Sequence, residues 1–173
     1  YVAAPFPNRN SNDFTIYRVA SATDGTTVTL NPPVNGETTL TLNDGEYRQI
    51  YSPAPFELTA TNPVMVAQFM IGGSISATDD GDPAFLIPPA IQQYRDSYVF
   101  LVPGQYRNNY VTLIKKTGTA ITLDGTAVSQ TLFQAIGSGS QWEIATVATV
   151  NAGVHRADST EAFGVVVHGS DEY

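Results

Sequence analysis

Apolar and polar residues alternate in short runs along most of the chain. Leu40 and Leu42 alternate with Thr39 and Thr41, which predicts a strand with one face in a core and the other in water. The near-continuous apolar run Val64–Ile71 predicts a central strand. The pattern therefore predicts an all-β protein.

Short turn signals separate these strands. Asp24-Gly25 and Asp44-Gly45 are typical of hairpin turns, because Asp-Gly readily supplies the positive φ angles that such turns demand. We expect Tyr47–Tyr51 to pair back across the second turn onto Glu37–Leu42. Asn31-Pro32-Pro33 should interrupt pairing, since proline cannot donate to a ladder.

Two stretches of the chain recur. Asp13–Leu30 resembles Asn109–Leu123, with first residues 96 positions apart, and Ala60–Gly73 resembles Ala157–Ser170 at an offset of 97. An offset of this size is too long for a solenoid unit and fits a duplicated domain or half-domain.

The repeat predicts the organisation of the chain. We expect a first β-module at residues 1–78, an inter-module connection at 79–97 and a second β-module at 98–173. The fold prediction is duplicated β-sandwich modules with about twelve or thirteen mostly antiparallel strands. Two separate sandwiches and one fused assembly stay open, because both have the same core-facing pattern.

Composition excludes several functions. The chain has 8 Lys and Arg against 16 Asp and Glu, a net charge of −8 at pH 7, and no basic stripe. Such a surface repels phosphate, so we expect no nucleic-acid partner. No apolar run approaches the roughly 20 residues of a membrane helix, so we expect no membrane insertion. The absence of cysteine excludes disulfide and thiol chemistry.

Catalytic motifs are lacking, and we predict no enzymatic activity. The histidines are His155 and His168, and no serine lies in a Gly-x-Ser-x-Gly elbow. A polysaccharide-active enzyme is the least favoured function, since Asp79, Asp80 and Asp82 cluster in one turn and cannot face each other across a sugar.

The same three aspartates resemble a calcium loop. Calcium takes several carboxylate and carbonyl oxygens around a turn, and Gly81 permits such a turn. The later acidic positions of an EF-hand are missing. Calcium at Asp79, Asp80 and Asp82 is therefore the alternative to an ordinary acidic turn, and no other cofactor is expected.

Lys115 and Lys116 raise the question of an intramolecular isopeptide bond. Such a bond needs a buried lysine beside a carboxylate and an asparagine, an adjacency that sequence does not show. Its formation would release ammonia and lower the intact mass by about 17 Da.

Six aromatic and cationic residues lie close together in the sequence: Tyr94, Arg95, Tyr98, Tyr106, Arg107 and Tyr110. Tyrosine and arginine are enriched at recognition hot spots, because each combines a large contact area with a polar group. We predict that this set binds a glycan or a protein. The alternative is that Tyr98 and Tyr110 are core residues of strands.

Several motifs resemble those of a known family: Gly81-Asp82-Pro83-Ala84-Phe85, Ile87-Pro88-Pro89, Gln93-Tyr94, Tyr98-Val99-Phe100 and Phe163–Gly169. From about Asp13 to Gly169 the chain resembles the IgGFc-binding protein N-terminal domain family. That family is named for an immunoglobulin-Fc-binding segment of an animal mucus protein, and similar modules occur in large bacterial surface and secreted proteins. The resemblance implies adhesion and carries over no catalytic residue.

We therefore expect a non-catalytic binding or adhesion module of a larger exported bacterial surface or fibre protein. Its location would be extracellular or at the cell surface. Its partners would be a glycan or protein on a host or prey surface and other domains of the same polypeptide. The alternative is a structural spacer or oligomerisation module of a stalk, which would form homo-oligomers.

Overall fold

In a computed structural model the chain is all-β and divides into two units, Tyr1–Pro88 and Pro89–Tyr173. The structure describes residues 1–76, 81–148 and 150–171. These residues contain 15 strands, four of them only two residues long, which accounts for the excess over the expected number. Over the same ranges, no helix has the length and apolar character needed to cross a membrane.

The first unit is a β-sandwich. Its strands are β1 (Val2–Ala3), β2 (Thr15–Ser21), β3 (Thr26–Val34), β4 (Glu37–Leu42), β5 (Tyr47–Ser52), β6 (Phe56–Ala60), β7 (Val64–Met70) and β8 (Phe85–Leu86). They form two antiparallel sheets with the orders β1-β6-β3-β4 and β5-β2-β7-β8. Both sheets contribute to one buried core, which includes Val28 and Leu58 from the first and Tyr17 and Val66 from the second.

The hairpin expected across Asp44-Gly45 is wrong. β5 pairs with β2, whereas β4 pairs with β3, so the turn carries the chain from one sheet to the other. The amide of Gly45 donates to the carbonyl of Ser21 at 3.0 Å, which bonds the turn to the second sheet. An Asp-Gly pair specifies a local turn but not the sheet that the next strand joins. The prolines were expected to interrupt pairing, and the register of β3 with β4 shifts around them, between Thr29 and Val34.

The second unit is built around one long strand. Its strands are β9 (Arg95–Val102), β10 (Asn108–Lys116), β11 (Ile121–Leu123), β12 (Thr126–Ala127), β13 (Gln134–Ala135), β14 (Trp142–Ala148) and β15 (Gly153–Ser170). The first part of β15 lies between β9 and β11, and its last part pairs with β10, which also pairs with β14. The buried core includes Val111, Leu113, Ala157 and Phe163.

The two units share one pairing scheme. Thr15 pairs with Met70 in the first unit, and Val111 pairs with Val167 in the second. These positions are offset by 96 and 97 residues, the same offsets as in the sequence repeat. The order β5-β2-β7 thus corresponds to β14-β10-β15, and β1-β6-β3-β4 corresponds to β9-β15-β11-β12. Side chains of one unit can therefore be compared with their counterparts in the other.

Two glycines of β15 lie directly beneath tyrosine rings. A Cβ atom at Gly164 would lie 2.6 Å from Cζ of Tyr94, and one at Gly169 would lie 2.6 Å from Cδ2 of Tyr106. Tyr94 is buried and packs edge-on against Trp142, with ring centroids 5.8 Å apart. Tyr106 is 37% exposed. Only glycine allows a ring to approach the strand backbone so closely.

Gly164→Ala and Gly169→Ala are both expected to destabilise the protein. A methyl group at Gly164 overlaps the far end of the Tyr94 ring, which packs against Trp142. A methyl group at Gly169 would lie 2.8 Å from Cβ of Tyr106, an atom that rotation of the side chain does not move. Each overlap costs about 1–3 kcal/mol. Denaturant titration gives the free energy of unfolding of each variant, and a variant as stable as the wild type would contradict the close approach of ring and strand.

Candidate recognition surface

The six residues predicted to bind a ligand fall into two groups along β15. Tyr94, Arg95 and Tyr98 lie near Phe163: the hydroxyl of Tyr98 donates to the carbonyl of Phe163 at 2.7 Å and accepts from the amide of Arg95 at 2.9 Å. Tyr94 is buried, Tyr98 is half-buried and Arg95 is exposed. Burial, with Tyr98 nearby, raises the pKa of the Tyr94 hydroxyl above its ordinary value, so this ring stays neutral.

The second group lies near the end of β15. Tyr110 is half-buried and stacks on His168, with ring centroids 4.9 Å apart. Tyr106 covers Gly169, and the amide of the exposed Arg107 donates to Oδ2 of Asp171 at 3.1 Å. The five residue-to-residue steps from Phe163 to His168 span about 16 Å. The structure thus forms two sets of three residues, and ligand binding by either set stays a prediction.

The aspartates of the predicted calcium loop are only partly described. Asp79 and Asp80 lie outside the described residues, and Asp82 is exposed. Within the described ranges, no three Asp, Glu or His side chains are grouped so that they could hold a metal ion. Calcium at this loop stays a prediction.

The two histidines have structural contacts. His155 lies 2.7 Å from a carboxylate oxygen of Asp124 and 2.7 Å from the carbonyl of Asn151. The hydrogen bond with Asp124, helped by the one with Asn151, raises the pKa of His155. His168 is the stacking partner of Tyr110.

A larger group of outward aromatic side chains lies on the first unit, where the sequence analysis placed no site. Side chains alternate along a strand, so burial of Tyr17, Val19 and Ile50 directs their neighbours outward. The outward residues of β2, β5, β7 and β8 form a surface that we call the aromatic face: Arg18, Tyr47, Gln49, Tyr51, Phe69 and Phe85. Tyr47 and Phe85 are each 59% exposed.

Arg18 lies at the centre of the aromatic face. Its guanidinium carbon is 4.9 Å from the ring centroid of Phe69 and 5.6 Å from that of Tyr47. Its Nε donates to Oε1 of Gln49 at 2.9 Å. Exposed cation–π contacts contribute about 0.5–1 kcal/mol each. Together these contacts orient Arg18, whose guanidinium carries five N–H donors.

A cleft of about 320 Å³ opens beside Arg18. Its walls are mainly apolar and include Ile16, Arg18, Phe69, Ile75, Pro83 and Phe85. The rings of Phe69 and Phe85 are 5.0 Å apart and form one wall. This volume lies at the small end of the range for ligand pockets, so the cleft is suited to one or two side chains.

The positions that correspond to Arg18 and Tyr47 are covered in the second unit. Strand register makes Ile114 the counterpart of Arg18, and Trp142 the counterpart of Tyr47. Both Ile114 and Trp142 are buried, and the Tyr94 ring packs on Trp142. At these two positions the sheet surface is therefore covered and apolar in the second unit but open, aromatic and cationic in the first.

Comparison with known proteins identifies one family. Residues 1–169 match the model of the family described as IgGFc binding protein. No curated protein and no solved structure is detectably similar to the chain. Because the family match covers nearly the whole chain, the protein belongs to the IgGFc-binding protein family.

Proposed function

We propose that the chain is a non-catalytic module that binds a protein ligand through the aromatic face. Domains of its family are of the binding type and are typically secreted or surface-associated. The observation that carries the proposal is the contrast between the two units, in which the positions of Arg18 and Tyr47 are open in the first and buried in the second. We further propose that the module serves adhesion within a larger exported bacterial surface or fibre protein.

The side chains of the aromatic face favour a protein ligand. Tyrosine and arginine concentrate binding energy at protein interfaces, and a cluster of exposed apolar side chains commonly marks an interaction site. The cleft accepts an apolar side chain, while Arg18 can donate to a carboxylate or backbone carbonyl at the rim. A glycan is the second ligand class, since it would stack on the exposed rings of Tyr47 and Tyr51.

Replacing Arg18 and Tyr47 together by alanine is expected to weaken binding at least about tenfold, because truncation of hot-spot residues costs about 2 kcal/mol or more. The first probe is immobilised immunoglobulin Fc, the ligand in the family description. Arrays of host-surface proteins and glycans extend the search. Biolayer interferometry gives the dissociation constant for each positive probe.

The matched control replaces Arg107 and Tyr106 by alanine, since they are an exposed arginine and tyrosine of the other predicted site. This double variant should bind as the wild type does. If it lost binding while Arg18→Ala with Tyr47→Ala retained it, the site would lie on the second unit. If the wild type bound none of the probes, that result would count against a binding function. Melting temperatures establish that each variant is folded.

A second candidate function, self-association in a stalk, is favoured by an exposed apolar patch on the second unit. Val99, Leu101 and Val154 are 68%, 63% and 74% exposed. Leu101 lies directly opposite Val154 in the pairing of β9 with β15, so these side chains are neighbours. A second copy of the chain could bury this patch.

Leu101→Lys is expected to keep the protein monomeric at concentrations where the wild type associates, because a charge at the patch opposes its burial. Light scattering over a concentration series measures the molar mass. Thr126→Lys, on the exposed strand β12, adds the same charge elsewhere and should leave association unchanged. A wild type that stays monomeric throughout would remove this candidate function.

A further inference from the structure

Lys115 occupies a core position of the second unit. It is 1% exposed and lies on the same face of β10 as the buried Val111 and Leu113. Strand register makes it the counterpart of Val19, a fully buried core residue of the first unit. Burial of a charge is unfavourable unless the charge is paired and hydrogen-bonded. The partners of Lys115 therefore explain how the second unit tolerates a lysine here.

Those partners are a carboxamide and a carboxylate that also bond to each other. Nζ of Lys115 donates to Oε1 of Gln130 at 2.9 Å and to Oε2 of Glu143 at 2.8 Å. Nε2 of Gln130 donates to the same Oε2 of Glu143 at 2.9 Å. The ring centroid of Phe133 lies 4.3 Å from Nζ and forms an apolar wall beside it.

Three separate elements hold this group in place. Lys115 and Glu143 face each other in the pairing of β10 with β14. Gln130 begins the short 3₁₀ helix Gln130–Leu132. The hydrogen bond from Lys115, supported by Gln130, holds the pKa of Glu143 below its ordinary value, so this carboxyl group is ionised at neutral pH.

We propose that Lys115 and Gln130 become joined by an intramolecular isopeptide bond, with Glu143 as the proton relay. Gln130 supplies the side-chain carboxamide in place of the asparagine expected from the sequence. Nζ is at most about 4.1 Å from Cδ of Gln130, because the C=O bond adds about 1.23 Å to the 2.9 Å between Nζ and Oε1. Reacting atoms approach to about 3–3.5 Å before bond formation. Formation of the bond therefore requires rotation of the Gln130 side chain to bring Cδ into that range.

The reaction balances without an oxidant or a cofactor. Glu143 accepts a proton from the ammonium group of Lys115, and the free amine attacks Cδ of Gln130. The bond from Cδ to Nε2 then breaks as Glu143 returns the proton to Nε2. The three ammonium protons are all accounted for: one remains on the new amide, and two leave with Nε2, which departs as ammonium. Glu143 already bonds to both nitrogens that exchange protons.

The intact mass of the purified chain tests the bond. The expected mass is about 17 Da below the value calculated from the sequence, through loss of ammonia. Trypsin should release residues 108–116 joined to residues 117–156 as one branched species, since no lysine or arginine interrupts 117–155. An intact mass equal to the calculated value would overturn the proposal.

Variants distinguish formation of the isopeptide bond from other reactions that release ammonia. Lys115→Met keeps an unbranched apolar side chain in the core and should have its full calculated mass. Glu143→Gln keeps the packing but removes the relay, and it too should have its full mass. A succinimide at Asn35-Gly36 would also release ammonia, so Asn35→Gly is the matched control and should keep the deficit. A deficit that disappears in Asn35→Gly or persists in Lys115→Met would refute the assignment.

Discussion

The antiparallel pairing of β2 with β7 in the first unit, and of β10 with β15 in the second, holds each unit together. Thr15 and Met70 are 55 residues apart in the chain, and Val111 and Val167 are 56 apart, yet each pair is in register. Closing such a loop costs entropy that grows only slowly with its length, and burial of the residues between the sheets offsets that cost. In the first unit β5 and β8 extend this pair and the other four strands form the opposite sheet, whereas in the second unit β9, β11 and β14 pair with it directly. The pair therefore determines which side chains face the core and which face outward.

Because of this pairing, the two units have a common backbone scaffold but different side chains on its outward and inward surfaces. The outward surface of the central strands carries Arg18 and aromatic rings in the first unit, whereas Trp142 and Tyr94 close it in the second. The inward surface differs as well, since Val19 corresponds to Lys115. Substitution of outward residues changes recognition without disturbing the core. Substitution of one inward residue introduces reactive chemistry, because the sheet places partners around it.

Much of the fold could be predicted because strand alternation and Asp-Gly turns are local signals. The strand that pairs with β5 could not be predicted, since turn chemistry does not specify the sheet that a strand joins. The aromatic face was missed for the same reason: Arg18 and Tyr47 are distant in sequence and become neighbours only through the pairing of β2 with β5. The alternation of Tyr51 with the buried Ile50 was the available sequence signal for an outward aromatic residue on β5. Tyr94 and Tyr106 were predicted to bind a ligand because they are close in sequence to other tyrosines and arginines. In the structure each of them lies over a glycine of β15.

The 18-residue strand β15 has no single counterpart in the first unit, where β6 and β7 are separate strands joined by Thr61–Pro63. Its first part pairs with β9 and its last part with β10. Thermal opening of one part must therefore bend the backbone that anchors the other. Backbone amides throughout the second unit should then lose their protection against solvent hydrogen exchange together, as one cooperative element.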